Sequence, residues 1–282
     1  MAIAELKEAL ALLVRIPVLW IPGAAGGLLA AVLWITFNLY DPFFAGRLTI
    51  ISGLVLLFFI TGMLTIMRNN EGDSKSFFAD GIRYYFRVLL PQVVIVSVIL
   101  LIFILLTITF SLFGISDISI LTAFTIGFII PTFIITFFYD TAAVFEERRV
   151  FDSIRRSVQL VFAHMSKVLI FLFVFVVIIA GITFISIIMW SIILSLVLYD
   201  KLEPISLNQT QLQTLTPDQF IALIGPEGIW ITAVFLFIGM FLLFPILYCY
   251  KGCFFKKLAG TTIIIQQSTT GEYDSKGRWY KY

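Results

Sequence analysis

Residues 168–199 read VLIFLFVFVVIIAGITFISIIMWSIILSLVLY, without an Asp, Glu, Lys, Arg or His. A hydrocarbon core about 30 Å thick is crossed by about 20 consecutive apolar residues in a helix. The stretch therefore reads as a transmembrane helix. Five more segments reach that length, near 18–40, 47–67, 88–113, 118–144 and 229–252, which predicts an all-α integral membrane protein of six spans. The 282-residue composition agrees: 60% hydrophobic and 13% charged, against roughly 25% charged in a soluble domain. A water-soluble fold is excluded. So is a nucleic-acid partner, because 19 basic against 17 acidic residues leaves a net charge of only +2 and no surplus to neutralise phosphates.

The charges are few but unevenly placed. With the N-terminus inside, all but Arg47 and Lys201 of the 19 lysines and arginines fall on one side of the six spans. Cytoplasmic loops carry such an excess, so both termini are expected in the cytoplasm. The first charged stretch, Glu5-Leu6-Lys7-Glu8, is mixed in sign and the first apolar run is too long for the apolar core of a cleaved signal, which reads against a signal peptide.

Three amphipathic stretches precede the odd-numbered spans. In 150–166, Val150, Ile154, Val158, Val161, Phe162 and Met165 recur at three- and four-residue spacing, with Asp152, Arg155, Arg156, Gln159 and Ser166 across from them. Residues 75–87 and, more weakly, 3–14 repeat the pattern. Each leads into its span through a similar tripeptide: Pro17-Val18-Leu19, Arg87-Val88-Leu89 and Lys167-Val168-Leu169. The expected layout is three repeats of an interfacial helix plus a two-span hairpin.

The membrane domain is placed at 1–257. It includes an outer loop of about 200–228, where Thr216-Pro217-Asp218-Gln219 predicts a short helix from Pro217 to Ile224, ended by Gly225-Pro226. Asn208-Gln209-Thr210 forms a glycosylation sequon there. Residues 258–282 are read as a cytoplasmic tail. Its β-prone runs Thr261–Ile265 and Arg278–Tyr282 predict either a hairpin or a disordered segment.

Candidate chemistry is sparse. No ionisable residue falls near the middle of a span, Asp140 being the nearest, some four residues from the inner end of span four. A coupled transporter or intramembrane hydrolase would ordinarily show one. His164 reads as an interfacial histidine, and Cys249 and Cys253 as small buried residues on one helical face. With one His and two Cys, no metal site is expected. Pro131 and Pro245, inside spans four and six, are candidate helix breaks or gates, because proline frees a carbonyl within the membrane. Gly23 and Gly27 give a small-xxx-small face for close helix approach. On the inner side, Arg83, Arg87, Arg148, Arg149, Arg155, Arg156 and Lys167 are candidate contacts for anionic lipid head groups.

The run Ala142-Ala143-Val144-Phe145-Glu146-Glu147-Arg148-Arg149-Val150-Phe151-Asp152-Ser153-Ile154-Arg155-Arg156-Ser157 resembles a motif in the membrane domain of glycerophosphoryl diester phosphodiesterases and of related prokaryotic multi-pass proteins. Glu146, Asp152, Ser153, Arg155, Arg156 and Ser157 are the matching positions. Glu147 and Arg149 stand where those families carry glycine. The resemblance implies the six-span scaffold with interfacial helices. It argues against phosphodiesterase activity, since in those enzymes the hydrolase is a separate barrel and here only about 30 residues follow span six.

These readings converge on a non-enzymatic plasma-membrane protein without cofactor or metal. Its expected partners are membrane lipids and a protein at the cytoplasmic face, held by the interfacial helices. The alternative is a permease or exporter component for an apolar or amphiphilic solute.

Overall fold

In hydrocarbon an isolated segment satisfies its backbone N–H and C=O groups only as a helix, and the apolar runs fold accordingly. A computed structural model describes residues 2–40, 42–70, 72–114, 117–202, 217–269, 271–273 and 279–281. Their helices are α1 (Ala2–Arg15), α2 (Ile21–Leu39), entered through a 3-10 turn at Pro17–Trp20, α3 (Pro42–Asn69), α4 (Ser74–Leu112), α5 (Ile118–Thr136), α6 (Tyr139–Phe145), α7 (Val150–Ala163), α8 (Met165–Leu202) and α9 (Pro217–Thr269). Six segments are long and apolar enough to cross a membrane: Pro17–Leu39, Phe43–Asn69, Ser74–Leu112, Ile118–Phe145, Met165–Val197 and Ile224–Gly260.

Helix ends follow local chemistry. Asp73 and Asp117 cap α4 and α5, their side chains accepting from the amides of Lys75 and Ser119. Past the end of α3, Asn70 takes the left-handed conformation with φ 56°. Gly225, at φ 61° and ψ −171°, kinks α9 where a break is expected after the short Pro217–Ile224 helix.

Three expectations are corrected. Residues 75–87 form no separate interfacial helix; they are the first third of α4, which at 39 residues is about 58 Å long and so overshoots a ~30 Å core. Pro131 and Pro245 break nothing, as α5 and α9 run through both. The interruption in span four falls at Phe137–Phe138, and Pro245 instead packs against Gly23. In the tail, 261–265 continues α9, because adding a residue to an existing helix costs far less than nucleating a new element. The strands are Gly271–Tyr273 (β1) and Trp279–Lys281 (β2), antiparallel with Glu272 opposite Tyr280. Residues 203–216, and with them Asn208 and Thr216, lie outside the described residues, as do Arg278 and Tyr282.

The first and last spans make the largest contact. Gly23, Gly26 and Gly27 of α2 face α9 so closely that a Cβ on Gly27 would lie 2.6 Å from the Phe237 carbonyl oxygen, while Trp20 stacks on Phe241 at 5.2 Å. The small-residue face is thus an intramolecular seam.

The core sits at one end of the bundle, the end carrying most of the basic residues. Leu13, Leu19, Met67, Phe77, Phe138, Phe171, Tyr250 and Phe255 are buried there, with the Phe171 ring 4.6 Å from Tyr250 and 4.3 Å from Phe254. Toward the other end packing thins to local contacts, such as Trp190 with Thr232 and Phe110 with Phe124. No residue is buried along the most apolar stretch of span three or of span four. Leu100, Leu101, Ile104, Phe128 and Ile130 are all exposed, which costs nothing where the surroundings are hydrocarbon.

Candidate functional site

α7 shows how the end rich in basic residues is built. Its core-facing residues are Ser153, Arg156, Ser157, Leu160 and Val161, while Phe151 and Phe162 point outward. The apolar stripe is therefore shared between core and surroundings, and the helix turns part of its polar side inward. Ser157 explains why. Its hydroxyl donates to the Ile135 carbonyl at 2.9 Å and accepts from the Phe138 amide at 3.0 Å, satisfying backbone groups freed where α5 gives way to α6. Ser153 bonds the Val150 carbonyl within its own turn.

Arg156 is buried and forks onto Glu146, with Nε 2.9 and 3.0 Å from the two carboxylate oxygens; Arg148 reaches the same group at 3.1 Å. Glu147 gathers Arg68 at 2.5 Å, Arg87 at 3.7 Å and the Tyr84 hydroxyl at 2.8 Å. These partners hold its carboxyl below the usual range, the Tyr84 hydrogen bond foremost and then Arg68. Its φ of 52° is a conformation that favours glycine, so the turn at this position keeps glycine geometry without glycine.

Several predicted head-group contacts are thus spoken for. Arg156 is closed off as a lipid ligand, a correction to its expected role, and Arg87 and Arg148 hold carboxylates. Arg83, Arg149 and Arg155 are exposed, and Lys167 is half-buried. Asp152 is exposed in the first turn of α7. His164 forms the turn between α7 and α8, where burial and then Lys167 push its imidazole below the ordinary value. Cys249 and Cys253 are free thiols in the core. Among the described residues no cluster of His, Cys, Asp and Glu could hold a metal.

The feature that sequence reasoning missed lies deeper. Asp140, in the first turn of α6, pairs with Lys251 of α9 at 2.7 Å, their side chains only 5% and 8% exposed. The other carboxylate oxygen accepts the Thr141 amide at 2.6 Å, and the ammonium stands over the rings of Phe137 and Tyr248 at 4.5 and 5.4 Å. Burying two charges is tolerable only with good geometry and further hydrogen bonds, and both are present. The one signal in the sequence was that each is a single charge inside an otherwise apolar stretch.

This pair forms the floor of a cavity of about 570 Å³. Its walls come from α3 (Leu56, Leu57, Ile60), α4 (Ile95, Val96, Ile99), α5 (Ile129, Phe133), α8 (Phe175, Ile179) and α9 (Met240, Leu243, Phe244, Leu247). Gln92, Thr136, Tyr139 and Tyr248 join the ion pair in supplying polar groups, and Tyr139 donates to Gln92 at 3.3 Å. Gly53, Val96 and Ile129 on its lining are exposed, so the cavity opens on the apolar flank of the spans. Thr125 and Thr132 do not reach it. They line a crevice of about 10 Å³ between α4 and α5.

Comparison with protein-family models, with curated proteins and with solved structures finds no match for this chain.

Proposed function

We propose that this chain is a non-enzymatic, multi-pass membrane protein that binds an amphiphile in the cavity between α3, α4, α5, α8 and α9. The observation that carries this reading is one space of about 570 Å³ with hydrocarbon walls and a buried ion pair at its floor. Ligand cavities of ~300–1,000 Å³ typically combine apolar linings with a few placed polar groups, and ionisable residues within membrane segments usually mark function. An opening on the apolar flank would admit the ligand from the bilayer.

In the same proposal the protein lies in the plasma membrane with both termini cytoplasmic, in keeping with the distribution of lysine and arginine. Arg83, Arg149 and Arg155 then face anionic head groups, while α1 and α7 lie at the interface. The likeness of residues 142–157 to the phosphodiesterase membrane domain supports such a scaffold without its hydrolase. Permeation is the weaker alternative, because Thr125 and Thr132 open to a separate crevice and not to a path continuous with the cavity.

The test is purification in native nanodiscs with mass spectrometry of retained small molecules. The wild type should retain an amphiphile that the cavity-filling variant Leu247→Trp loses. Equal retention by both proteins would overturn the proposal.

A further inference from the structure

Resting on that reading, we propose that the ligand is a single-chain amphiphile whose head group is electrically neutral and bears a hydroxyl, seated against the Asp140–Lys251 pair. Three observations lead there. The first is charge. Asp140 and Lys251 neutralise each other at 2.7 Å, and no other carboxylate, ammonium or guanidinium lines the cavity among the described residues. An ionised head would bring a net charge into a space that holds no counter-ion, the costly case for a buried charge.

The second is hydrogen-bonding capacity. Lys251 uses one N–H on Asp140, and each Asp140 oxygen has accepted one bond, from Lys251 and from the Thr141 amide. Unused ammonium protons and carboxylate lone pairs therefore lie side by side. A hydroxyl both accepts and donates, so it can bridge the two without separating them. A methyl ester or an alkane could not do both.

The third is size. From Met240 to Lys251 the lining follows α9 for about 17 Å, roughly half of a ~30 Å hydrocarbon core and so the depth of one leaflet. A cavity of about 570 Å³ falls within the ~300–1,000 Å³ of sites that hold one small ligand, and its depth suits a single chain with a small head.

The experiment uses the full chain in phosphatidylcholine nanodiscs and an alkylglycerol carrying a diazirine in its chain, photocrosslinked and mapped by mass spectrometry. Competitors of one chain length are an alkylglycerol, an alkyl sulfonate and an alkyl trimethylammonium, the latter two ionised at every working pH. On the wild type the alkylglycerol should compete at least about tenfold better than either ion. Asp140→Asn should bring the sulfonate up by a similar factor and Lys251→Met the trimethylammonium, while the double variant should again prefer the alkylglycerol. Equal competition by all three on the wild type, or an ion winning there, overturns the proposal, as does an unchanged ranking in both single variants. Should a single variant fail to fold, the wild-type ranking and the double variant still decide. Absence of labelling at any cavity residue would instead overturn amphiphile binding itself.

Discussion

Substituting Gly27 by alanine tests the α2–α9 seam directly. The added methyl would stand 2.6 Å from the Phe237 carbonyl oxygen and 3.0 Å from its ring, where real side chains keep at least 3.0 to 3.4 Å. A carbonyl in a helix cannot swing aside, so the helices must part by roughly 0.4–0.8 Å, and gaps near that size forfeit a quarter to a half of each van der Waals well. Such overpacking costs about 1–3 kcal/mol. Replacing a helical glycine by alanine returns about 0.5–1 kcal/mol, leaving a net loss of up to about 2.5 kcal/mol. Gly181 in α8 is the control, because a Cβ there meets nothing within 4 Å; its alanine variant should gain the propensity term alone. Unfolding in mixed micelles by sodium dodecyl sulfate, followed by circular dichroism, should separate the two variants by the overpacking cost alone, about 1–3 kcal/mol. Equal stabilisation of both would refute the close approach of first and last spans.

Ser157→Ala should destabilise by about 2–3 kcal/mol, because both the Ile135 carbonyl and the Phe138 amide lose their partner in a buried place; the same unfolding assay measures it, and a change below a few tenths would contradict the role of this hydroxyl. The Glu147 contacts should be acid-sensitive. Its folded carboxyl titrates below the ordinary 4.5, so the stability it adds is complete above that value and is lost as the pH falls through the lower, folded one. Unfolding midpoints measured downward from neutral pH should drop more steeply for the wild type than for Glu147→Gln, and parallel curves would sink the idea.

Much of this architecture was legible before any coordinate. Uninterrupted apolar length identified the spans, since a bilayer imposes one dimension on every helix crossing it. The period of Val150, Ile154, Val158 and Val161 identified α7. Partners were harder to read. In a soluble protein apolar periodicity points to the core, whereas residues 98–106 are apolar on every side and lipid makes the same demand as a neighbouring helix. Only the spacing of Gly23 and Gly27 hinted at which face α9 would take. Asp140 and Lys251 lie 111 positions apart, toward the same end of different spans, and counting charges assigns both to topology. Their pairing depends on the turn at Phe137–Phe138, which Ser157 stabilises from a third helix. Arg156 misled for a related reason: one ion pair with Glu146 lets a guanidinium sit on the inward side of an amphipathic helix.

The concentration of buried side chains at one end has a mechanical consequence. Phe138, at the turn between α5 and α6, packs with Phe171 of α8 and with Phe254 of α9, which Tyr250 joins, into a stiff root, while the most apolar stretches of spans three and four bury no residue and meet through contacts such as Phe110 on Phe124. Helices respond to bilayer thickness by tilting at modest cost. Such tilt meets least resistance in the sparsely packed halves, toward which the cavity reaches from the root.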